Sequence, residues 1–235
     1  MSQQNVGPSG SPLVGRGDAD RHSAITRSLL GYGLLAGPSY VVSGLAQALA
    51  RDGFQLAHHD LSLLANGPWG WVQTLTFLLT GAMVVAAGVG MRRACRTLGE
   101  RPGGTWGPWL VVVFGLGLVG AGVFPADPVD GFPPGARAVT TLSGTGHIVC
   151  AAVGFLALVA GCLVHARRLR SVRPGLARLS VVTAVLFLLA FAALASGSSV
   201  AAVVLGFWVA LLLVWTWLAF VSLDLFRRTP LLTPA

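Results

Sequence analysis

Apolar residues gather into six long runs: Leu29–Ala50, Trp69–Met91, Pro108–Phe124, Ser143–His165, Leu176–Ala195 and Val200–Leu223. Polar residues are largely confined to the segments between and beside them. A hydrocarbon core about 30 Å thick is crossed by roughly 20 helical residues. The pattern therefore predicts an all-α, polytopic membrane protein built as a six-transmembrane-helix bundle. Pro38 falls inside the first run and should kink it, which a bundle tolerates where neighbours satisfy the freed carbonyl. Residues 1–28 are polar and rich in Gly, Ser and Pro, with no apolar stretch of the kind a secretory signal needs. They read as a disordered tail ahead of one transmembrane domain over 29–226, with a second tail at 227–235.

Charge gives the runs a direction. Every one of the sixteen basic residues is an arginine, and the formal net charge is +8. Fourteen lie in the N-terminal tail, the second and fourth loops or the C-terminal tail; only Arg51 and Arg137 lie in the first and third loops. Positive charge stays on the cytoplasmic side of a membrane, so both termini are expected in the cytoplasm and the odd-numbered loops outside. The arginines sit at the ends of apolar runs and form no single basic face, which argues against a nucleic-acid partner. Composition agrees: 54% of residues are hydrophobic, 10% are charged, and the mean hydropathy is +0.74. The lipid bilayer is the expected environment. Asp224 lies just ahead of Arg227 and Arg228 and should pair with them at a helix end. No cysteine falls in a segment expected outside, so no extracytoplasmic disulfide is predicted.

Small residues suggest where helices meet. Gly33 and Gly37 make a GxxxG in the first run, Ala82, Ala86 and Gly90 recur in the second, and Gly115, Gly117, Gly120 and Gly122 crowd the third. Such stripes let helix backbones approach closely.

Candidate chemistry collects at the outer ends of the spans. The first loop carries His58, His59, Asp60 and Ser62, and the third carries Asp127 and Asp130. His147 lies near the start of the fourth run. It shares a helical face with Cys150, Gly154, Leu158, Gly161 and His165, a small and partly polar stripe suited to a bundle interior. An ionisable residue within a span is by default a functional candidate. His58, His59, Asp127 and His147 include ligand types that suit zinc, and three of them with a water would make a hydrolytic centre. Adjacent histidines seldom reach one ion, however, and no span carries HxxxH or HExxH.

Turn chemistry explains much of the same stretch. Asp60 or Ser62 can cap a short helix at 61–65, Asn66-Gly67 can end it, and Pro68 suits the first turn of the next span. Trp69 and Trp71 would anchor that span at the headgroups, with Phe54, Leu56, Leu61, Leu63 and Leu64 dipping into the interface and the histidines wet. His165, beside Arg167 and Arg168, would lie at the cytoplasmic surface. Trp208 and Trp215, seven apart, read as packing. The single-helix placement of His147 and His165 argues against a haem between them, and Walker, Rossmann and GxSxG motifs are absent.

The segments "GLLAGP" (33–38), "HHDLSLLANGPWGWVQ" (58–73), "GVGMRRA" (88–94) and "GLGLVGAGVFPADPVDGFPPG" (115–135), followed by His147, resemble a prokaryotic membrane family catalogued as domain of unknown function 998 (DUF998). The resemblance covers about residues 29–226. It implies a six-helix integral membrane protein and supplies no catalytic residue. The arginine-only basic set and Ala/Gly richness suit a high-GC bacterium, and the expected location is the bacterial plasma (inner) membrane. Three functions are carried forward: binding of a lipid or small apolar ligand in a shallow outward-facing pocket, metal-dependent hydrolysis of a lipid at the His/Asp cluster, and transport. The last is weakened because no span carries a mid-membrane acid or arginine.

Overall fold

The computed structural model describes residues 13–99 and 106–229, with side chains from Arg21 onward. It contains six long α-helices: α1 (Leu13–Ala50), α2 (Gly70–Thr97), α3 (Trp106–Val123), α4 (Leu142–Leu169), α5 (Pro174–Ala195) and α6 (Ala201–Arg228). A 3-10 helix, Leu61–Ala65, lies between α1 and α2. All six α-helices are long and apolar enough to cross a membrane. Each predicted run falls on one of them.

α1 begins at Leu13, within the stretch 1–28 expected as a tail, and residues 1–12 lie outside the described residues. The apolar run marks where lipid begins, whereas a helix continues while its backbone hydrogen bonds do, and no proline interrupts residues 13–28. Pro38 is also accommodated within one continuous helix.

Each helix packs on its neighbours in sequence and α6 returns to α1, closing a ring; α2 also reaches α6 across it. That crossing lies in the half of the bundle bearing the termini, where Gly33 of α1 faces both Ala87 of α2 and Ser222 of α6. Leu30, Met91, Trp217 and Leu218 fill this half. Trp217 Nε1 donates to Ser180 Oγ (2.9 Å), and Ser180 Oγ donates to the Leu176 carbonyl (2.8 Å), which ties α6 to α5. His165 is buried here, its ring edge-on to Trp217, and not at the surface as the neighbouring arginines suggested. Asp224 pairs with Arg173 (3.0 Å) and Arg228 (3.4 Å), so its first partner comes from the start of α5.

The glycines do what small residues do in lipid, where close backbone contact replaces the hydrophobic drive between helices. A Cβ on Gly117 of α3 would lie 2.7 Å from the Gly154 Cα of α4, and one on Gly81 of α2 would lie 2.7 Å from the Gly115 carbonyl oxygen. A Cβ on Gly37 would lie 2.7 Å from the Trp215 Cβ, so α1 meets α6 the same way. Side-chain hydrogen bonds add to the α1–α2 seam. Ser43 Oγ meets Thr76 Oγ1 at 2.6 Å, and Gln47 Nε2 donates to the fully buried Gln73 Oε1 at 2.8 Å.

Gly117→Val should therefore force α3 from α4 at a cost of about 1–3 kcal/mol, read as a lower melting temperature in detergent. Gly31→Ala meets nothing within 4 Å and should leave the temperature unchanged or slightly raised. Equal melting temperatures for Gly117→Val and wild type would contradict the close α3–α4 contact.

Candidate functional site

At the end of the bundle opposite the termini, the first and third loops fold over each other. Arg51, just past α1, donates to the carbonyls of Leu64 (3.2 Å) and Asn66, pinning the end of the 3-10 helix. Asp60 caps the start of that helix: its Oδ1 accepts from Ser62 N–H at 2.9 Å and also from Ser62 Oγ. Gly67 takes the positive φ (76°) that turns the chain toward α2. Trp69 and Trp71 are exposed, as headgroup anchors would be. The leucines behave differently from the prediction. Leu61, Leu63 and Leu64 are buried in the protein core and do not dip into the interface, because the cap and the Arg51 clamp turn this helix inward.

The two adjacent histidines part company. His58 is exposed, and its Nδ1 lies 3.2 Å from the Ser199 carbonyl in the α5–α6 turn. His59 is only 4% exposed, against the expectation that both would be wet. Phe132, reaching in from the third loop, packs on His59 (5.6 Å) and edge-on to Phe54 (5.2 Å). His59 Nδ1 accepts from Gln55 N–H (2.9 Å), which leaves the proton on Nε2 to donate to the Asp130 carbonyl (3.1 Å). Both nitrogens are thus engaged, Nδ1 within the first loop and Nε2 across to the third.

Asp127 is likewise committed. Its Oδ2 accepts from Thr141 N–H (2.8 Å), its Oδ1 accepts from Thr141 Oγ1 (2.6 Å), and Thr141 Oγ1 in turn accepts from Gly144 N–H (3.0 Å) to cap α4. Gly144 leaves the room for this carboxylate, since a Cβ there would collide with it. The hydrogen bonds from Thr141 hold the Asp127 carboxyl below the usual carboxylate range.

His147 is buried near the start of α4. Its Nδ1 lies 2.9 Å from the carbonyl oxygens of both Ala121 and Phe124, where α3 ends. A carbonyl only accepts, so Nδ1 carries a proton and donates.

His58, Asp60, Ser62, Asp130 and His147 all line one cavity of about 410 Å³. His59 and Asp127 do not. The body of the cavity is aromatic: Tyr40, Phe77, Phe114, Phe155, Trp208 and Trp215. Sequence reasoning missed these, although the seven-residue spacing that puts Trp208 and Trp215 on one face of α6 was visible. The cavity is deep and not shallow. It reaches Trp215 from Val204 along α6, about 16 Å at the helical rise of 1.5 Å per residue. Trp208 and Trp215 both hold buried indole N–H groups without an acceptor. Among the described residues no three His, Cys, Asp or Glu side chains come together as a metal site would require. The proposed zinc ligands are dispersed because His59 and Asp127 each serve a loop or a helix cap.

The Asp127 cap carries a pH signature. A carboxyl held low in the fold stabilises above its unfolded pKa, and that contribution is lost as pH falls through the folded value. Asp127→Asn should melt below wild type at neutral pH, and the gap should close in acid, below about pH 4. A gap independent of pH would show that the ionised carboxylate does not support the cap.

Comparison with known proteins assigns the chain to a family. No curated protein and no solved structure matches the chain. A family model described as "Protein of unknown function (DUF998)" matches residues 34–224, from α1 through α6, and takes in both loops and the whole cavity. The chain belongs to the DUF998 family.

Proposed function

We propose that this chain is a multi-pass protein of the bacterial plasma (inner) membrane, with both termini cytoplasmic, that binds a lipid or small apolar ligand in a cavity opening outward. The orientation rests on arginine. Arg92, Arg93 and Arg96 near the end of α2, Arg167 and Arg168 at the end of α4, and Arg227 and Arg228 at the end of α6 all share the half bearing the termini. The cavity carries the binding reading. Its volume of about 410 Å³ falls in the range of small-molecule sites. Its aromatic body and few polar groups at one end match the division of a site between apolar contact and orientation.

Depth narrows the ligand. Half of a hydrocarbon core about 30 Å thick is about 15 Å, close to the reach from the mouth to Trp215. The cavity thus has the depth of one leaflet. A hydrolytic reading has less support, because His59 and Asp127 are engaged elsewhere.

Ala151 lines the cavity from α4, and Ala151→Trp should fill it. Protein purified in mild detergent should release a stoichiometric lipid or apolar compound on organic extraction, identified by mass spectrometry. Ala151→Trp should lose it while keeping its elution profile. Equal amounts in both proteins, or none in wild type, would overturn the reading. Reporters fused after residues 60 and 170 test the orientation: the first should report the outside and the second the cytoplasm, and the reverse would contradict it.

A further inference from the structure

The mouth of the cavity has a sign. Among the described residues no arginine lines it, and its only carboxylates are those of Asp60 and Asp130. In a chain of net charge +8, that local reversal is informative. Arg51 directs its guanidinium to the Leu64 and Asn66 carbonyls and lies over Phe132. Asp60 uses Oδ1 to cap the 3-10 helix, which leaves Oδ2 open. The backbone carbonyl of Asp130 receives His59, and its side chain is exposed.

His147 also reaches this end of the cavity. It is 7% exposed and lines the cavity, and its Nδ1 is committed to two carbonyls, which leaves Nε2 as its other ring nitrogen. Two carboxylates with no arginine among the cavity-lining residues favour a ligand that donates hydrogen bonds and carries positive charge. A protonated amine meets both conditions. A phosphate or carboxylate headgroup meets neither.

The side of the cavity indicates the route in. Ile148 of α4 and Ala195 of α5 both line it, and both are exposed on the bundle surface, Ile148 by 68%. Further into the membrane the same seam is shut, because Phe155 packs edge-on against Phe187 (4.9 Å) and Phe191 (5.0 Å). The outer end of the α4–α5 seam thus carries cavity-lining residues that are exposed, whereas aromatic packing closes it toward the bundle middle. An amphiphile dissolved in the outer leaflet can slide in sideways with its chain already in an apolar medium.

We propose that the cavity takes a single-chain amphiphile with a protonated amine headgroup, admitted between the outer ends of α4 and α5. The ammonium lies among Asp60, Asp130 and His147, and the chain runs inward along the aromatic wall to Trp215. This rests on the binding role proposed above and adds the charge, donor character and route of the ligand.

Full-length protein in nanodiscs of a zwitterionic lipid, with dodecylammonium, dodecanol and dodecyl sulfate as probes at neutral pH, tests it. Ala151→Trp serves as the blocked reference for each probe. Dodecylammonium should bind most tightly and dodecyl sulfate least. The double variant Asp60→Asn, Asp130→Asn keeps a capping oxygen and should weaken dodecylammonium by about tenfold or more while leaving dodecanol unchanged. If all three probes bind alike, or the double variant binds dodecylammonium like wild type, the headgroup assignment is overturned and the apolar cavity stands. If no probe binds above the blocked reference, the binding role itself falls and this inference with it.

Discussion

Backbone contact at glycine is the constraint on which the bundle depends. Lipid does not press apolar helices together as water does, so association rests on fit. Here fit means Gly117 against Gly154, Gly81 against Gly115, and Gly37 against the Trp215 backbone side. These contacts join consecutive helices and bring α6 back to α1, producing a ring instead of a solid cluster. A ring of six helices leaves space at its centre. In the half bearing the termini that space is occupied by Met91, Trp217 and the α2–α6 crossing. In the other half the cavity remains, with Phe114, Leu118 and Ala121 of α3 in its wall.

The loops above the cavity are held by a few fully used polar groups. Arg51 satisfies the carbonyls that end the 3-10 helix, Asp60 satisfies the N–H that begins it, and His59 joins the first loop to the third. Asp127, through Thr141, fixes the start of α4, so that His147 enters the bundle beneath the end of α3. Polar side chains predicted as one cluster thus divide by role. His59 and Asp127 hold the frame, whereas His58, Asp60, Ser62, Asp130 and His147 face the cavity.

The six helices were legible in the sequence because solvation by lipid is a property of each run by itself. The Asp60 cap was legible for a similar reason, since donor and acceptor lie two residues apart. What depended on distant chain was hidden. His59 is buried by Phe132, the inward turn of Leu61, Leu63 and Leu64 needs the Arg51 clamp, and the first partner of Asp224 is Arg173. The cavity was the least legible feature. Tyr40, Phe77, Phe114, Phe155 and Trp215 come from five different helices, and a space between helices leaves no periodicity in any one of them.

A ligand chain bound as proposed would run from the mouth to Trp215 at mid-bundle. Bromine quenches indole fluorescence on contact, so alkylammonium probes brominated either at the chain end or beside the headgroup measure this directly. That placement should give stronger quenching by the end-brominated probe, with the excess abolished by Trp215→Phe. Equal quenching by the two probes, or an excess that survives Trp215→Phe, would contradict it.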